Sequence, residues 1–178
     1  TPLALLRPLW MKLIGGEGKT SGRLEAVEYS TAQRARLADN SAICSLQDVK
    51  PCPTRPAPAA PVASFDDCCG PHLSGQTIPP TAEALMRSRY SAFAVGQADY
   101  LRATWHPTTR PATLTLEPGL RWLGLKILRT EAGGAADQEG WVTFVARSKF
   151  QGRAQRLQER SRFVRAHGRW FYIEGELS

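Results

Sequence analysis

Residues 79–96 read PPTAEALMRSRYSAFAVG and predict the first clear helix of the protein. Thr81 can accept hydrogen bonds from the free backbone N–H groups at the helix start, and Glu83 places negative charge in the first turn, where the helix dipole favours it. Gly96 is a typical residue just beyond a helix end. An apolar stripe lies between these ends at helical spacing, formed by Leu85, Tyr90 and Phe93 with Ala84 and Ala92.

A second helix and a set of strands are predicted after the first helix. Residues 98–105 continue with helical spacing, and Pro107 ends them. The apolar period then changes to alternation, which predicts strands near residues 123–127, 141–147, 157–166 and 169–173. His167 and Gly168 predict a tight turn before the last strand. Helices followed by an antiparallel meander predict an α+β domain, with the helices packed on one face of a curved sheet of about four strands.

The chain before this domain divides into two parts. Residues 1–50 show weak periodicity, with one predicted helix near residues 30–37, and a poorly specified arm of this kind is compatible with disorder. Five of the eleven residues over 51–61 are proline, which disfavours both helix and sheet. We therefore expect an arm over 1–50, a proline-rich linker and cysteine segment over 51–75, and the α+β domain over 76–178.

The composition does not indicate a membrane or secreted protein. No stretch of the 178 residues approaches the ~20 consecutive apolar residues that a membrane span requires. The apolar N-terminus is interrupted by Arg7, Pro8 and Lys12, whereas a secretory signal has an uninterrupted apolar run. We expect a cytoplasmic protein that has no membrane partner.

Positive charge is concentrated in the second half of the chain. The net charge is +7, and residues 147–169 hold eight Lys or Arg residues and the single acid Glu159. Such a surface could bind a polyanion. However, Arg outnumbers Lys eighteen to five over the whole chain, and this bias in composition is the simpler explanation. Nucleic-acid binding through the Arg-rich sheet is therefore the less favoured interpretation.

The cysteines are clustered ahead of the predicted domain core. They are Cys44, Cys52, Cys68 and Cys69. A disulfide framework normally distributes cysteines through the core that it staples, and adjacent cysteines do not easily bridge each other. Metal ligation or idle thiols explain the clustering better.

Several motifs, in one order, resemble the YchJ-like family of bacterial proteins. They are Cys68-Cys69-Gly70-Pro71-His72, PTAEALMRSRYSAF (residues 80–93), Ala98-Asp99-Tyr100-Leu101, Thr104-Trp105-His106-Pro107, and residues 144–147, 159–164 and 168–172. The agreement spans residues 52 to about 175, and several ordered motifs are far more specific than one. The resemblance implies a cone-shaped, cystatin-like α+β domain of the type found in nuclear transport factor two. It implies no particular reaction.

The same resemblance implies a SEC-C zinc motif, the type found at the SecA C-terminus, which reads Cys-Pro-Cys, a short spacer, then Cys-Cys or Cys-His. In this chain Thr54 replaces the second cysteine, and the spacer is longer than usual. Structural zinc takes four thiolate or imidazole ligands, and a neutral threonine does not replace a thiolate. The predicted zinc site is therefore degenerate. Its ligands are Cys52, Cys68 and Cys69, with Cys44 or His72 as the fourth.

Three residues are candidates for chemistry inside the cone: His106, Tyr90 and Arg87. His106 follows a helix end and titrates near neutral pH, although stabilisation of that helix end is the favoured explanation. Arg87 and Arg89 lie beside Tyr90, and one of them can pair with Glu159, since a buried arginine needs a carboxylate or carbonyl partner. No nucleophile–base pair, phosphate-binding glycine loop or carboxylate dyad is evident in the sequence.

The sequence leaves three functions open. We favour a non-catalytic binding or adaptor module for a protein partner, because the implied zinc motif serves protein contacts in other proteins and no catalytic constellation is evident. The second is a small-molecule binder or enzyme that uses the cone interior, which requires a pocket of roughly 300 Å³. The third is polyanion binding by the Arg-rich sheet. The fold also allows a homodimer through the exposed face of the sheet.

Overall fold

The computed structural model describes residues 52–54 and 64–178 of the chain. In these two ranges four helices come first: α1 (Phe65–Cys68), α2 (Gly70–Leu73), α3 (Ala82–Val95) and α4 (Ala98–Ala103). Four strands follow them: β1 (Arg121–Ala132), β2 (Glu139–Phe150), β3 (Arg153–Ala166) and β4 (Arg169–Leu177). The predicted arm, its helix near residues 30–37 and most of the proline-rich run lie outside the described residues. Among the described helices, none has the length and apolar character needed to cross a membrane.

Helix α3 has the ends that its sequence predicts. Thr81 is the N-cap, and its side-chain oxygen accepts a hydrogen bond from the backbone N–H of Ala84 at 3.1 Å. Gly96 is the C-cap with φ of 78°, a left-handed conformation that glycine adopts at little cost. Eight residues between the two caps are buried, and they include Arg89. The prediction of this helix is confirmed.

Helix α4 is two residues shorter than its sequence predicts. The backbone leaves the helix because Trp105 forms a parallel β-bridge with Tyr172 of β4. The N–H of His106 donates to the carbonyl of Tyr172 at 2.8 Å, and the N–H of Tyr172 donates to the carbonyl of Thr104 at 2.9 Å. The sequence predicts this helix to about residue 105, and the structure ends it at Ala103, because the next N–H, that of His106, donates to the distant strand and not back into the helix.

The four strands form one antiparallel sheet in the order β1-β2-β3-β4. His167 and Gly168, with φ of 50° and 75°, make the predicted tight turn between β3 and β4. Register shifts, such as the one between Trp122 and Gly124, interrupt the pairing of β1 with β2 and of β3 with β4. Irregularities of this kind bend and twist a strand, which favours a curved sheet.

Helix α3 takes part in two buried clusters. The larger one joins α3 to the sheet, and its aromatic members are Tyr90, Trp105, Phe144, Phe163, Trp170 and Tyr172. The smaller one joins the cysteine segment to α3 and α4, through Cys52, Cys69, Leu73, Ala92, Tyr100 and Leu101. Helices packed against a four-stranded antiparallel sheet form an α+β domain. The predicted fold class is confirmed.

We predict that Thr81→Ala destabilises the fold, because it removes the oxygen that accepts the hydrogen bond from Ala84 N–H. The free energy of unfolding should fall by about 1 kcal/mol, the usual cost of losing such a cap. Urea unfolding followed by circular dichroism measures the change. Thr113 is exposed in the loop before β1, so Thr113→Ala is the matched control and should stay within ~0.5 kcal/mol of the wild type. Equal losses in the two variants would contradict the capping role.

Candidate functional site

Three cysteine thiols from two parts of the chain meet at one point. The Sγ atoms of Cys52, Cys68 and Cys69 all lie within 4.8 Å of one another. The sulfurs of Cys52 and Cys69 are 3.5 Å apart, and those of Cys68 and Cys69 are 3.8 Å apart. Cys68 ends α1 and Cys69 is the N-cap of α2. The junction between two one-turn helices thus presents adjacent thiols to Cys52.

The hydroxyl of Thr54 lies beside these thiols. Its Oγ1 is 3.2 Å from Cys52 Sγ and 3.9 Å from Cys69 Sγ. Zinc–thiolate bonds of about 2.3 Å give a tetrahedral site with sulfur–sulfur edges of about 3.8 Å. The two sulfur–sulfur distances of 3.5 and 3.8 Å are close to this edge, and the third is within 4.8 Å. The three thiols therefore fit three corners of a zinc site, and Thr54 offers a neutral oxygen near the fourth.

Hydrogen bonding within the cluster favours one thiolate. The bond with the Cys69 thiol lowers the pKa of Cys52, and bonds with Thr54 act in the same direction, although burial opposes them. The bond with Cys52, together with burial, raises the pKa of Cys69. The hydrogen bond between the two thiols therefore favours one thiolate in the pair, with Cys52 as the more acidic group. The thiolate is the form of cysteine that binds metals.

Burial and one long-range hydrogen bond attach the cysteine segment to the domain. Cys52 and Cys69 are 1% and 2% exposed, and together with Leu73 they pack against α3 and α4. Arg87 Nη1 donates to the backbone carbonyl of Thr54 at 3.2 Å. The same guanidinium forms an ion pair with Glu83 at 2.8 Å. Arg87 therefore contacts the cysteine segment and not the cone interior.

The two residues predicted as fourth zinc ligands are placed differently. Cys44 lies outside the described residues. His72 is in α2, and its Nδ1 is 2.8 Å from the hydroxyl oxygen of Thr77. Its ring nitrogens are not among the ligand atoms that lie within 4.8 Å of one another. In this conformation His72 contacts the loop after α2, and its role as a ligand stays a prediction.

A narrow cleft lies between α3 and the sheet. Its lining combines apolar side chains, among them Phe93, Trp122 and Leu157, with the charged residues Arg89 and Glu159. The cleft has a volume of about 20 Å³. This is room for about one water molecule, whereas pockets for small ligands measure about 300 Å³ or more. The interior therefore gives no support to a small-molecule site in this conformation.

Arg89 is a buried cation, with 2% of its surface exposed. Its Nη1 donates to the carbonyl of Leu101 at 2.8 Å and to the hydroxyl of Thr104 at 2.7 Å. Its guanidinium carbon lies 5.3 Å from the ring centre of Trp105 and 4.8 Å from that of Tyr172. Burial lowers the pKa of Arg89 to about 10, although nearby acidic groups, Tyr172 first, oppose this shift. The side chain therefore stays charged at neutral pH.

Glu159 is fully buried on the inner face of β3. Its carboxylate accepts a hydrogen bond from the hydroxyl of Ser161 at 2.6 Å. Of the two arginines predicted to approach Glu159, Arg89 lines the same cleft, and the negative charge of Glu159 favours its protonated form. Arg87 lies on another side of the helix. The interior thus holds a cation and a carboxylate that support each other electrostatically.

The three candidates for chemistry lie in different places. Tyr90 lines the cleft, where burial raises its pKa to about 12. His106 is outside that lining; its Nδ1 is 2.7 Å from the hydroxyl oxygen of Thr108, and burial lowers its pKa. Arg87 contacts the cysteine segment. The structure does not bring the three together, and a catalytic role for any of them stays a prediction.

Known proteins are similar to this chain in sequence and in fold. A family model described as the middle NTF2-like domain of YchJ matches residues 81–175. The chain belongs to the YchJ family. A UPF0225 protein of Chromobacterium violaceum is 54% identical over 112 residues, which cover 61% of this chain and 83% of the relative. A UPF0225 protein of Streptomyces coelicolor is 52% identical over 125 residues, which cover 70% of this chain and 98% of the relative.

Two solved structures are similar to this YchJ-family chain. One is the solution structure of a SEC-C motif containing protein from Rhodopseudomonas palustris, with 35% identity and a TM-score of 0.59, and the match covers 67% of this chain and 95% of that one. The other is the crystal structure of a SEC-C motif containing protein from Psychrobacter arcticus, with 26% identity, a TM-score of 0.59, and coverage of 75% and 84%. The predicted family and fold are confirmed, and the names of these relatives state no activity.

Of the residues inside this YchJ-family domain, Glu159 is the one whose buried position the sequence pattern indicates most clearly. In β3 the residues Leu157, Ser161 and Phe163 alternate toward the core, and Glu159 falls on the same side. A lone carboxylate at an inward position needs a buried donor or cation. The choice between Arg87 and Arg89 as that cation required the three-dimensional structure.

We predict that Gly175→Ala destabilises the chain through Glu159. A Cβ at residue 175 would lie 2.0 Å from Glu159 Oε1 and 2.5 Å from its Cδ, and the carboxylate is fully buried. We expect a loss of about 1–3 kcal/mol in the free energy of unfolding, typical of an overfilled core. Gly134→Ala is the control, because the nearest atom to its Cβ is Asp137 Oδ2 at 3.4 Å. Similar unfolding midpoints for both variants would show that the Glu159 side chain can move away from the added methyl group at little cost, which contradicts the prediction.

Proposed function

We propose that this YchJ-family chain is a non-catalytic binding module in which zinc fastens the cysteine segment to the α+β domain and so maintains a surface for a protein partner. The observation that carries the proposal is the convergence of Cys52, Cys68 and Cys69 within 4.8 Å. The similarity to two SEC-C motif containing proteins supports it. The burial of Cys52 and Cys69 against the domain helices also supports it, since a metal here would tie two parts of the fold together.

The proposed ligands are the three thiolates. Zinc and other thiophilic metals prefer sulfur ligands. The lowered pKa of Cys52 favours its thiolate form, which is the form that binds the metal. Zinc bound here would supply a cross-link between residue 52 and residues 68–69. The Thr54 hydroxyl lies near the fourth corner, as a neutral donor of lower affinity than a thiolate. We therefore expect weaker zinc binding than a four-cysteine site provides.

The small size of the cleft between α3 and the sheet favours a binding role over catalysis. The cleft of about 20 Å³ leaves no room for a metabolite. Tyr90 is the one candidate for chemistry that lines this cleft, and its raised pKa of about 12 makes it a poor proton donor or acceptor at neutral pH. The cysteine segment is therefore the better candidate for the functional part of the chain.

The zinc proposal predicts that Thr54→Cys tightens zinc binding. The new thiolate would stand near the fourth corner, and we expect the dissociation constant to fall by at least about tenfold. Competition with a chromophoric chelator measures the affinity, and metal analysis of the purified chain measures the stoichiometry. Thr54→Val, which removes the oxygen without adding a ligand, should bind zinc no more tightly than the wild type.

Thr113→Cys is the matched control for an added thiol, because residue 113 is exposed in the loop before β1. It should leave the affinity unchanged. If the wild type binds no zinc at micromolar concentrations and Thr54→Cys binds no better than Thr113→Cys, the three thiols are not a zinc site and the proposal fails.

The adaptor role predicts that a protein partner depends on the cysteine segment. Deleting this segment would uncover Tyr100 and Leu101, so point variants are the sharper tool. Cys68→Ser removes a ligand at the least buried of the three positions, and Ser74→Ala in the turn after α2 is a nearby control. Cross-linking in bacterial cells followed by mass spectrometry should recover a partner with the wild type and Ser74→Ala but not with Cys68→Ser. Identical partner sets in all three would refute the adaptor role.

A further inference from the structure

Two groups of cations on the sheet differ in their partners. Arg160 forms an ion pair with Glu131 at 3.2 Å. Arg162 forms ion pairs with Glu139 and, at 3.2 Å, with Glu174. These two arginines lie in the middle of β3, and their charge is already neutralised by neighbouring carboxylates. They are therefore poor candidates for binding an external anion.

The second group lies on the half of the sheet that contains the β2–β3 turn. We call it the basic end, and its members are Arg121, Lys126, Arg147, Lys149 and Arg156. All five side chains are exposed. None of the five ion pairs between described residues includes any of them. Arg156 donates a hydrogen bond to Gln158, a neutral side chain, at 2.7 Å.

The strand register places these five cations on one face. Arg121 is paired with Lys149, and Arg147 is paired with Arg156. Side chains of directly paired residues project from the same face of a sheet. Phe144 and Ala146 of β2 belong to the core, so the alternating positions 145, 147 and 149 face away from it. Lys126, opposite residue 145, joins the same outer face.

The close positive charges of the basic end destabilise the sheet unless a bound anion neutralises them. Like charges directly opposite each other destabilise a sheet, and the basic end contains two such pairs. Neighbouring strands are about 4.8 Å apart, and alternate residues of a strand are about 6.7 Å apart. The cations thus form a regular array over three strands, which matches a flexible polymer with closely spaced charges better than a single small anion.

We propose that the basic end binds the phosphate backbone of single-stranded nucleic acid. Three of its five members are arginines, whose guanidinium forks suit phosphate oxygens. The array is about 10 Å wide across three strands, a distance that a few nucleotides of one flexible strand can cross. Contacts with the backbone alone carry no sequence information, so binding should tolerate any sequence. This surface involves none of the cysteine segment, and the proposal is independent of the zinc site.

The test uses the whole 178-residue chain and a fluorescein-labelled 15-nucleotide oligouridine, with binding followed by fluorescence anisotropy between 50 and 200 mM KCl. We expect affinity to fall with salt, with a log–log slope of about −0.7 for each phosphate contacted. Arg147→Gln/Arg156→Gln should weaken binding at 50 mM KCl by about tenfold and reduce the magnitude of the slope by about 1.4. Its melting temperature at low salt should equal or exceed that of the wild type, because a like-charge pair is removed.

Arg129→Gln/Arg165→Gln is the matched control, because it removes two charges from the other end of the same sheet. It should bind the RNA like the wild type. Equal weakening in both double variants would show that only net charge matters and would overturn the assignment to the basic end. Absence of RNA binding by the wild type at 50 mM KCl would also overturn it. Unlabelled polyglutamate and unlabelled RNA of equal charge are then compared as competitors. If polyglutamate competes equally well, the ligand is an acidic protein segment and not nucleic acid.

Discussion

The rest of the structure depends on the buried guanidinium of Arg89. It donates to the last turn of α4 through Leu101 and Thr104, and it lies against the aromatic rings of Trp105 and Tyr172. Removing a cation from water costs several kcal/mol, which is recovered only when hydrogen bonds and opposite charge surround it. Arg89 itself lies in α3, and these partners belong to α4 and the two residues that follow it, to β4 and, through Glu159, to β3. A single charge therefore requires both helices and the sheet to be in place together.

The same constraint explains why the interior is filled. A cone-shaped domain can enclose a ligand pocket, but here Arg89, Glu159 and the aromatic rings occupy the space between α3 and the sheet, and about 20 Å³ remains. Fold alone does not determine function. Arg89 and Glu159 are used for structure, so among the described residues the thiols of the cysteine segment and the cations of the basic end are the groups that remain available for binding.

Local signals predicted the parts of the fold that depend on local physics. The caps of α3 and the turn at His167 and Gly168 follow from residue types alone. The end of α4 did not, because the bridge between Trp105 and Tyr172 is set by tertiary pairing. Helices α1 and α2 were missed since four residues carry no period. The sequence does not distinguish Arg87 from Arg89 as the partner of Glu159. Side chains two positions apart on a helix point about 200° apart. Arg87 therefore contacts Thr54, whereas Arg89 is buried beside Tyr172.

The candidate site combines a predictable ligand set with an arrangement that sequence did not indicate. The motif identified Cys52, Cys68 and Cys69, and the structure brings their thiols together. Where the motif has its second cysteine, this chain has Thr54, and two other contacts attach the segment to the domain. Arg87 donates a hydrogen bond to the carbonyl of Thr54, and Leu73 packs beside the buried cysteines. These contacts need no metal, so they hold the segment on the domain without it, and bound zinc would add stability that grows with the logarithm of the zinc concentration above the dissociation constant. If zinc binds as proposed, the neutral hydroxyl of Thr54 beside Cys52 and Cys69 would make its affinity lower than that of a four-thiolate site, so occupancy would follow the zinc concentration.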